Sequence, residues 1–341
     1  MSTIKVANIQ APGAESPVAH LTADGDFVVG CMNGGSVAGM RNVLRNIRFQ
    51  VWSRQDVIEV GNTYSSTFGA DGWSTRPVSE TGGTTTLAPS FIGSTPCMEL
   101  TASGHTASTF IRQRVEDVRT LAGKKVSLSF QISCTNAFTA FPVLTQNFGE
   151  GSTRSEETFG SIEGEVIVSP GIERRVTWTF DVPSVEGFDI QNDSYLELCL
   201  RIEEPYTGKI RFISAQLESG DMATPLEDRP LSVDKKVCER FSQSYNLGEL
   251  ESTVSIPFKT GAATFQYPFI VPLATRMRTI PSVSTADAQC GIAAGAGDEV
   301  QVVAILAQPR TETLIAVGGV TGANTEGVIA FGGKLWIDAE L

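Results

Sequence analysis

Three stretches of the chain alternate apolar and polar residues with a period of two. Val126, Leu128, Phe130 and Ile132 interleave with Lys125, Ser127, Ser129 and Gln131. Val176, Trp178, Phe180 and Val182 do so with Arg175, Thr177, Thr179 and Asp181, and Leu196, Leu198, Leu200 and Ile202 with Tyr195, Glu197, Cys199, Arg201 and Glu203. Successive side chains of a strand point to opposite faces, so this pattern predicts half-buried strands with one wet face. Parallel strands covered on both sides would be apolar throughout. A fourth run sets Ile213, Ala215 and Leu217 against Ser214, Gln216 and Glu218, and ends in the reversal Ser219-Gly220-Asp221. Gly- and Ser-rich connections (ETGGTTT, NFGEGSTRSEE, VPSVEGF) separate such runs. From Arg41 to Glu218 the pattern is that of an antiparallel β domain, and a two-sheet jelly roll is the natural way to bury its apolar faces. Arg112 to Arg119 reads equally as one short helix or as a strand with a loop.

The segment ATPLEDRP then carries two prolines, which exclude helix interior and central strand and so predict a stiff connector. Beyond Pro230 the period changes. Val233, Val237 and Phe241 fall at i, i+4 and i+8 with Ser232 able to cap, predicting a helix within Leu231 to Tyr245. From about Leu250 come short runs rich in Val and Ile: TVSIPF, ATFQYPFIV, SVSTA, VQVVAIL, TLIAVGG and GVIAFGGKLWIDAEL. They predict a second, smaller β domain, complete by itself or with strands of sister subunits. The first 45 residues hold only short strand-like pieces, Thr3 to Ile9 and Phe27 to Val29, among Gly, Ala, Ser and Pro. Such a segment cannot bury much core, and reads as an arm that orders on a partner or as a disordered tail. The expected organisation is all-β: an extended N-terminal arm over 1–45, an antiparallel jelly-roll sandwich over 46–228, and a smaller C-terminal β domain over 229–341 that opens with the short helix.

Composition narrows the partners. Hydrophobic content of 41% and charged content of 19% over 341 residues indicate a folded chain rather than a disordered one. A net charge of -12 counts against a nucleic acid or an anionic membrane as partner. No run of 18 apolar residues occurs and MSTIKVANIQ lacks a charged-then-apolar signal pattern, so membrane insertion and Sec export are not expected. Cys31, Cys97, Cys134, Cys199, Cys238 and Cys290 form no CxxC or Cys/His cluster and read as buried free thiols rather than zinc ligands.

Candidate chemistry is sparse. With only His20 and His105, no GxSxG elbow and no histidine beside a serine or cysteine, no catalytic residue is assigned and no enzymatic activity is expected. Glycosidases need two carboxylates flanking a bond, but the pairs Glu116-Asp117, Glu156-Glu157 and Glu203-Glu204 are adjacent and would face opposite sides of a strand. They read as solvated surface. The rung repeat of a parallel β-helix is absent from the sequence. No cofactor or metal is expected: Asp189, Asn192 and Asp193 in DIQNDS offer oxygens of the kind calcium takes, without EF-hand spacing. Sugar binding asks for an aromatic face and planar polar groups. Phe138 and Phe141 in TNAFTAFP, Phe148 in QNFGEGS and Tyr206 in EEPYTG read as loop aromatics, either for a ligand or for packing on a neighbouring subunit, with the amides of Gln146 and Asn147 beside them. Trp178, on an apolar strand face, and Trp73, after Asp71-Gly72, read as core.

A resemblance spans most of the chain. NVLRNIRFQVWSRQ (42–55) followed by GADGWS (69–74) resembles the opening of bacteriophage tail-fibre and receptor-binding proteins, which begin with an Asn-rich NGdFxvWQRG strand and then an Asp–Trp pair. Here Ile47 replaces the glycine after the opening asparagine, and Ser53-Arg54-Gln55 replaces the QRG turn. The likeness continues in FIRQRVEDVRTLAGKKVSLSFQIS (110–133), QNFGEGS (146–152) and AQLESGDMATPLEDRPLSVDKKVCERF (215–241), and in PLATRMRTIPSVS and the final DAEL. STIKVANIQ…LTADGDF resembles the arm of short fibres that plugs into a virion. The resemblance implies a carbohydrate-binding-module-like jelly roll on a structural virion protein that assembles as a homotrimer. It also implies an arm docking on other tail or virion proteins through Ile4, Val6, Ile9 and Phe27, and a host surface polysaccharide or lipopolysaccharide as ligand. The protein would be made in the host bacterial cytoplasm and reside in the virion. The alternative is a purely structural head-fibre, decoration or tail-adaptor role.

Overall fold

The computed structural model describes residues 8–9, 19–21, 27–29, 40–54, 58–60, 67–77, 84–105, 108–154, 156–159, 166–171, 173–203, 206–246, 257–259, 264–279, 281–294, 306–309, 313–321 and 326–340. Ile4 and Val6, two of the four arm residues, lie outside this set, as does most of VQVVAIL. Ile9 and Phe27 fall on two of three short arm strands, β1 (Asn8–Ile9), β2 (Ala19–Leu21) and β3 (Phe27–Val29), which pair in the order β1-β2-β3.

Two compact units emerge. The first holds Met1–Gln50, Val57–Phe68 and Trp73–Arg229; the second holds Val51–Asp56, Gly69–Gly72 and Pro230–Leu341. In the first, the main strands are β4 (Ile58–Val60), β5 (Thr67–Phe68), β6 (Ser74–Pro77), β7 (Thr84–Ile92), β8 (Thr95–His105) and β9 (Thr109–Glu116). They continue with β10 (Lys125–Cys134), β11 (Phe138–Asn147), β12 (Glu157–Phe159), β13 (Val166–Val168), β14 (Arg174–Asp181), β15 (Tyr195–Ile202) and β16 (Tyr206–Ser219). One sheet runs β14-β10-β16-β8-β7-β4, and the other runs β12-β11-β15-β9-β6-β5 with β13 also on β11. From β8 onward, each main strand in one sheet is followed by a strand in the other. That nested order, β14-β10-β16-β8 over β12-β11-β15-β9, is the double Greek key of a jelly roll. The ambiguous stretch after Arg112 is a strand to Glu116, ended by Asp117 at φ 69.

The alternation seen in the sequence sets the core. Val126, Leu128, Phe130 and Ile132 of β10, Trp178 and Phe180 of β14, and Leu196, Leu198 and Leu200 of β15 are all buried. At the centre, Phe49, Trp73, Phe130 and Phe212 form a ring of aromatic neighbours with centroids 4.9 to 6.2 Å apart. The segment expected as an opening strand is not one. Residues 43–47 instead bond the stretch of β16 that β8 leaves unpaired, through Val43 N–H to Leu217 O (3.0 Å) and Ala215 N–H to Ile47 O (2.9 Å). Positive φ at Asn46 (50°) and Phe49 (55°) turns the chain inward there, so that Leu44, Ile47 and Phe49 are buried.

The Pro-containing connector also does more than span a gap. Thr224 donates from its N–H (2.8 Å) and hydroxyl (2.7 Å) to the buried carboxylate of Glu218, and Glu227 N–H donates to Gln216 Oε1 (2.7 Å). Residues 221–229 thereby strap the outer face of the first sheet, where Ser127, Ser129, Gln216 and Glu218 are buried.

The second unit contains helix α1 (Leu231–Glu239) and strands β17 (Ser242–Asn246), β18 (Pro257–Lys259), β19 (Thr264–Pro272), β20 (Ser282–Ala294), β21 (Leu306–Pro309), β22 (Thr313–Thr321) and β23 (Glu326–Asp338). The helix is shorter than its periodicity predicted, because residues 242–246 pair with 334–338 as a strand. Ser232 lies inside it and does not cap; Pro230, φ -55°, occupies the capping position without a side-chain bond. β23 pairs with β17, β18 and β20, while β19, β22 and β21 form a separate sheet. The Ser53-Arg54 pair belongs to this unit. Ser53 N–H and Oγ donate to Asp71 Oδ1 (2.9 and 2.8 Å), and Arg54 Nη2 reaches Asp338 Oδ2 (2.8 Å) and Glu340 Oε1 (3.7 Å).

Candidate functional site

The strap closes one sheet of the jelly roll along β10 and β16; among the described residues, the outer face of the other carries a set of side chains suited to a ligand. Register fixes what stands there. Arg201 of β15 lies opposite Phe110 of β9 and Phe141 of β11; Cys199 lies opposite Arg112 and Val143; Glu197 opposite Arg114 and Thr145; Tyr195 opposite Glu116 and Asn147. The intervening rows, such as Ile111–Leu200–Pro142 and Gln113–Leu198–Leu144, face the core. Residues two apart on a strand are about 6.6 Å apart, so Tyr195 to Arg201 spans about 20 Å of platform.

Two guanidinium groups on this platform lie over rings. Arg201 lies 5.1 Å from the centroid of Phe141 and 5.8 Å from that of Phe110, and Arg114 lies 4.3 Å from the centroid of Tyr195. Cation–π contact helps hold these two guanidiniums over their rings. Glu197 sits between two of them, 2.7 Å from Arg114 Nε and 3.5 Å from Arg112 Nη1. Arg201 donates from Nε and Nη2 to Ser108 Oγ (3.3 and 3.2 Å) and pairs with Glu203 (3.1 Å). Cys199 forms the floor: burial, reinforced by Glu197, pushes its thiol up to about 12, so it stays protonated and unreactive. Burial also raises the Tyr195 hydroxyl, against the pull of Arg114. Fixed donors, one shared carboxylate and ring edges together suit a ligand with many hydroxyls.

The residues expected to bind sugar are divided by the structure. TNAFTAFP is not a loop beyond Ala137; Phe138 opens β11, faces inward and packs edge-on against Tyr206 at 5.6 Å. Tyr206 is likewise buried, its hydroxyl donating to Lys209 O at 2.9 Å. Gln146 is wholly buried and donates to Pro183 O at 3.0 Å. Phe148 is buried against Phe188, with Arg154 3.9 Å from the Phe188 centroid. These four are corrected to core positions, because inward parity on β11 or an edge-on neighbour covers each ring or amide. Phe141 and Asn147 do lie on the outward face, with Phe141 mostly covered by Arg201. Phe110, Arg112, Arg114, Tyr195, Glu197 and Arg201 were missed. Their signal was the wet parity of the alternating runs, which the sequence shows strand by strand but not side by side.

Other candidates resolve into structure. Trp73 and Trp178 are core, and Trp73 Nε1 donates to Asn46 O at 3.3 Å. Cys97, Cys134, Cys199 and Cys238 are free and buried; no side chain is described for Cys31 or Cys290. Asp193 accepts from Glu150 N–H (3.0 Å) and the Asp189 carbonyl from Ser152 Oγ (2.7 Å), which ties the 147–154 and 186–194 loops together, while the Asp189 carboxylate accepts from Gln191 within its own loop (2.9 Å). Among the described residues, no three His, Cys, Asp or Glu side chains stand close enough to hold a metal.

No protein-family model matches the chain, and no curated protein matches it. Among solved structures, a Clostridium thermocellum xylanase comprising a family 22 carbohydrate-binding module and its catalytic module is similar at 15% identity and TM-score 0.31, over 44% of this chain and 26% of that one. The enzymatically active domain of tailspike protein 4 of bacteriophage CBA120 is similar at 11% identity and TM-score 0.31, over 52% of this chain and 21% of that one. The C-terminal family 22 carbohydrate-binding module of the same xylanase gives 12% identity and TM-score 0.33, over 54% of this chain and 97% of that one. This chain therefore spans about a quarter or less of the first two.

Proposed function

We propose that this protein is a non-enzymatic glycan-binding component of a bacteriophage particle, a homotrimeric tail fibre whose jelly roll grips a host surface polysaccharide. The observation that carries the binding reading is the outward row set of the second sheet, where Arg114 on Tyr195, Arg201 on Phe141 and the shared Glu197 stand within one register-aligned field. Supporting the virion reading is the ordered series of motifs from NVLRNIRFQVWSRQ to AQLESGDMATPLEDRP. In this reading the first 45 residues dock on the tail, and Ile4, Val6, Ile9 and Phe27 supply apolar anchors.

Adsorption competition tests it. Host cells incubated with the purified full chain lose phage attachment in a dose-dependent way, and Arg114→Ala protein competes at least tenfold less well. If saturating protein leaves attachment unchanged, the jelly roll is assembly material of a head fibre, decoration or adaptor subunit.

A further inference from the structure

We propose that the platform around Arg201 selects glycans carrying a carboxylated sugar, with Arg201 and Arg112 gripping the sugar carboxylate above Cys199. This rests on the glycan-binding reading of the same face. Arg112 and Arg201 are diagonal neighbours, since Arg112 is opposite Cys199 and Arg201 is two residues further along β15. Diagonal positions on a sheet face lie about 7–8 Å apart, a span that two long side chains close onto one planar anion.

Charge on the platform is uneven. The row of Phe110, Arg201 and Phe141 and the row of Arg112, Cys199 and Val143 place two guanidiniums outward and no carboxylate. Glu197 stands one row on, engaged by Arg112 and Arg114, Glu203 reaches Arg201 Nε at 3.1 Å, and Glu116 stands at the far end, so three guanidiniums share two engaged carboxylates. Arg201 Nη1 donates to no described residue, while Nε is engaged by Ser108 and Glu203 and Nη2 by Ser108. The ring faces of Phe110 and Phe141 are occupied by that guanidinium, so the site offers a charged fork where a neutral-sugar platform would offer bare aromatic surface. The chain's net charge of -12 opposes an anionic ligand only at long range. At physiological ionic strength the screening length is about 8 Å, so the local guanidiniums decide.

The test uses the full chain and immobilised acidic bacterial polysaccharides rich in uronic acid, each paired with its carboxyl-reduced neutral form. The expected result is binding to at least one uronate polymer at 0.15 M salt and at least tenfold weaker binding to its reduced partner. Arg201→Gln lowers uronate affinity on the order of tenfold while leaving the thermal midpoint near that of the parent. Arg201→Lys, which keeps the charge but loses the fork, lies between, and Lys125→Gln on the opposite sheet is unchanged. Equal binding to native and reduced polymers overturns the carboxylate assignment and leaves glycan binding intact. Selective binding to phosphorylated polysaccharides also overturns it. Failure to bind any polysaccharide overturns both readings.

Discussion

Gln113 and Arg45 clasp each other in the core: Arg45 N–H donates to Gln113 Oε1 at 2.8 Å, and Gln113 Nε2 donates back to Arg45 O at 3.0 Å. One amide side chain thus does for the inward-turning segment what a neighbouring strand would do. Gln113 is 1% exposed, so its loss removes a hydrogen-bond partner from each of two backbone groups in the core. Gln113→Ala is expected to cost about 2–6 kcal/mol, from roughly 1–3 for each lost bond in the core. Gln113→Glu, which loses the donor and sets a buried carboxylate against Arg45 O, costs at least as much as Gln113→Ala at neutral pH if the clasp is the cause. Urea denaturation of the three proteins gives the ranking.

Trp73 is fully buried between Phe49 and Phe130. Trp73→Ala is expected to lose about 3–5 kcal/mol, and Trp73→Phe less, since Phe fills most of the space but cannot donate to Asn46 O. Equal losses for the two substitutions would count against a packing origin.

Gly149 has φ +88°, and a Cβ there would lie 2.4 Å from Asp193 Oδ1 and 2.6 Å from the Cβ of Gln191. Gly149→Ala should therefore push the 147–154 and 186–194 loops apart and break the Glu150–Asp193 bond. The strain is expected to cost about 1–3 kcal/mol. The thermal midpoint falls by about 2–4 °C per kcal/mol for a unit of this size.

Asp71 gives the second unit a pH response. Burial pushes its carboxyl from the ordinary 3.8 up to about 6, against the hydrogen bonds from Ser53 and the charge of Arg54. Between those values the folded chain keeps a proton that the unfolded chain has released. Stability from this group is therefore greatest in acid and declines as pH rises from about 4 to 6. Asp71→Asn, which still accepts from Ser53, should remove that decline. Denaturation midpoints of parent and variant at pH 4, 5, 6 and 7 would converge toward acid and separate toward neutrality.

The alternating runs made the jelly roll legible because each carries its burial pattern locally: β10, β14, β15 and the second half of β16 appear almost whole in the spacing of their apolar residues. β11 did not. FTAFPVLTQN contains Pro142 and breaks strict alternation, so its first half looked like a loop and Phe138 looked exposed. The candidate platform was hidden for a different reason. Arg112 and Arg201 are 89 positions apart in sequence, and only the cross-strand register of β9 with β15 makes them neighbours. The strap was half visible: two prolines marked an irregular segment, but nothing local indicated that Thr224 would reach back to Glu218. Likewise Arg54, Asp71, Asp338 and Glu340 come from three separate stretches, and no spacing rule links them.

β23 has a consequence for the timing of biogenesis. β17, β18 and β20 all find their sheet partner in residues 326–338, which a ribosome makes after every one of them. Until that strand emerges, the three earlier strands have no edge in this sheet to close upon, and loop-closure entropy must be overcome over separations from 33 residues (Ala294 to Gly327) to 96 (Ser242 to Asp338) when it does. The second unit is thus expected to stay open on the ribosome while the jelly roll, whose strands pair within residues 58–219, can already close. A nascent chain halted before residue 326 would present unpaired strand edges to proteases and chaperones.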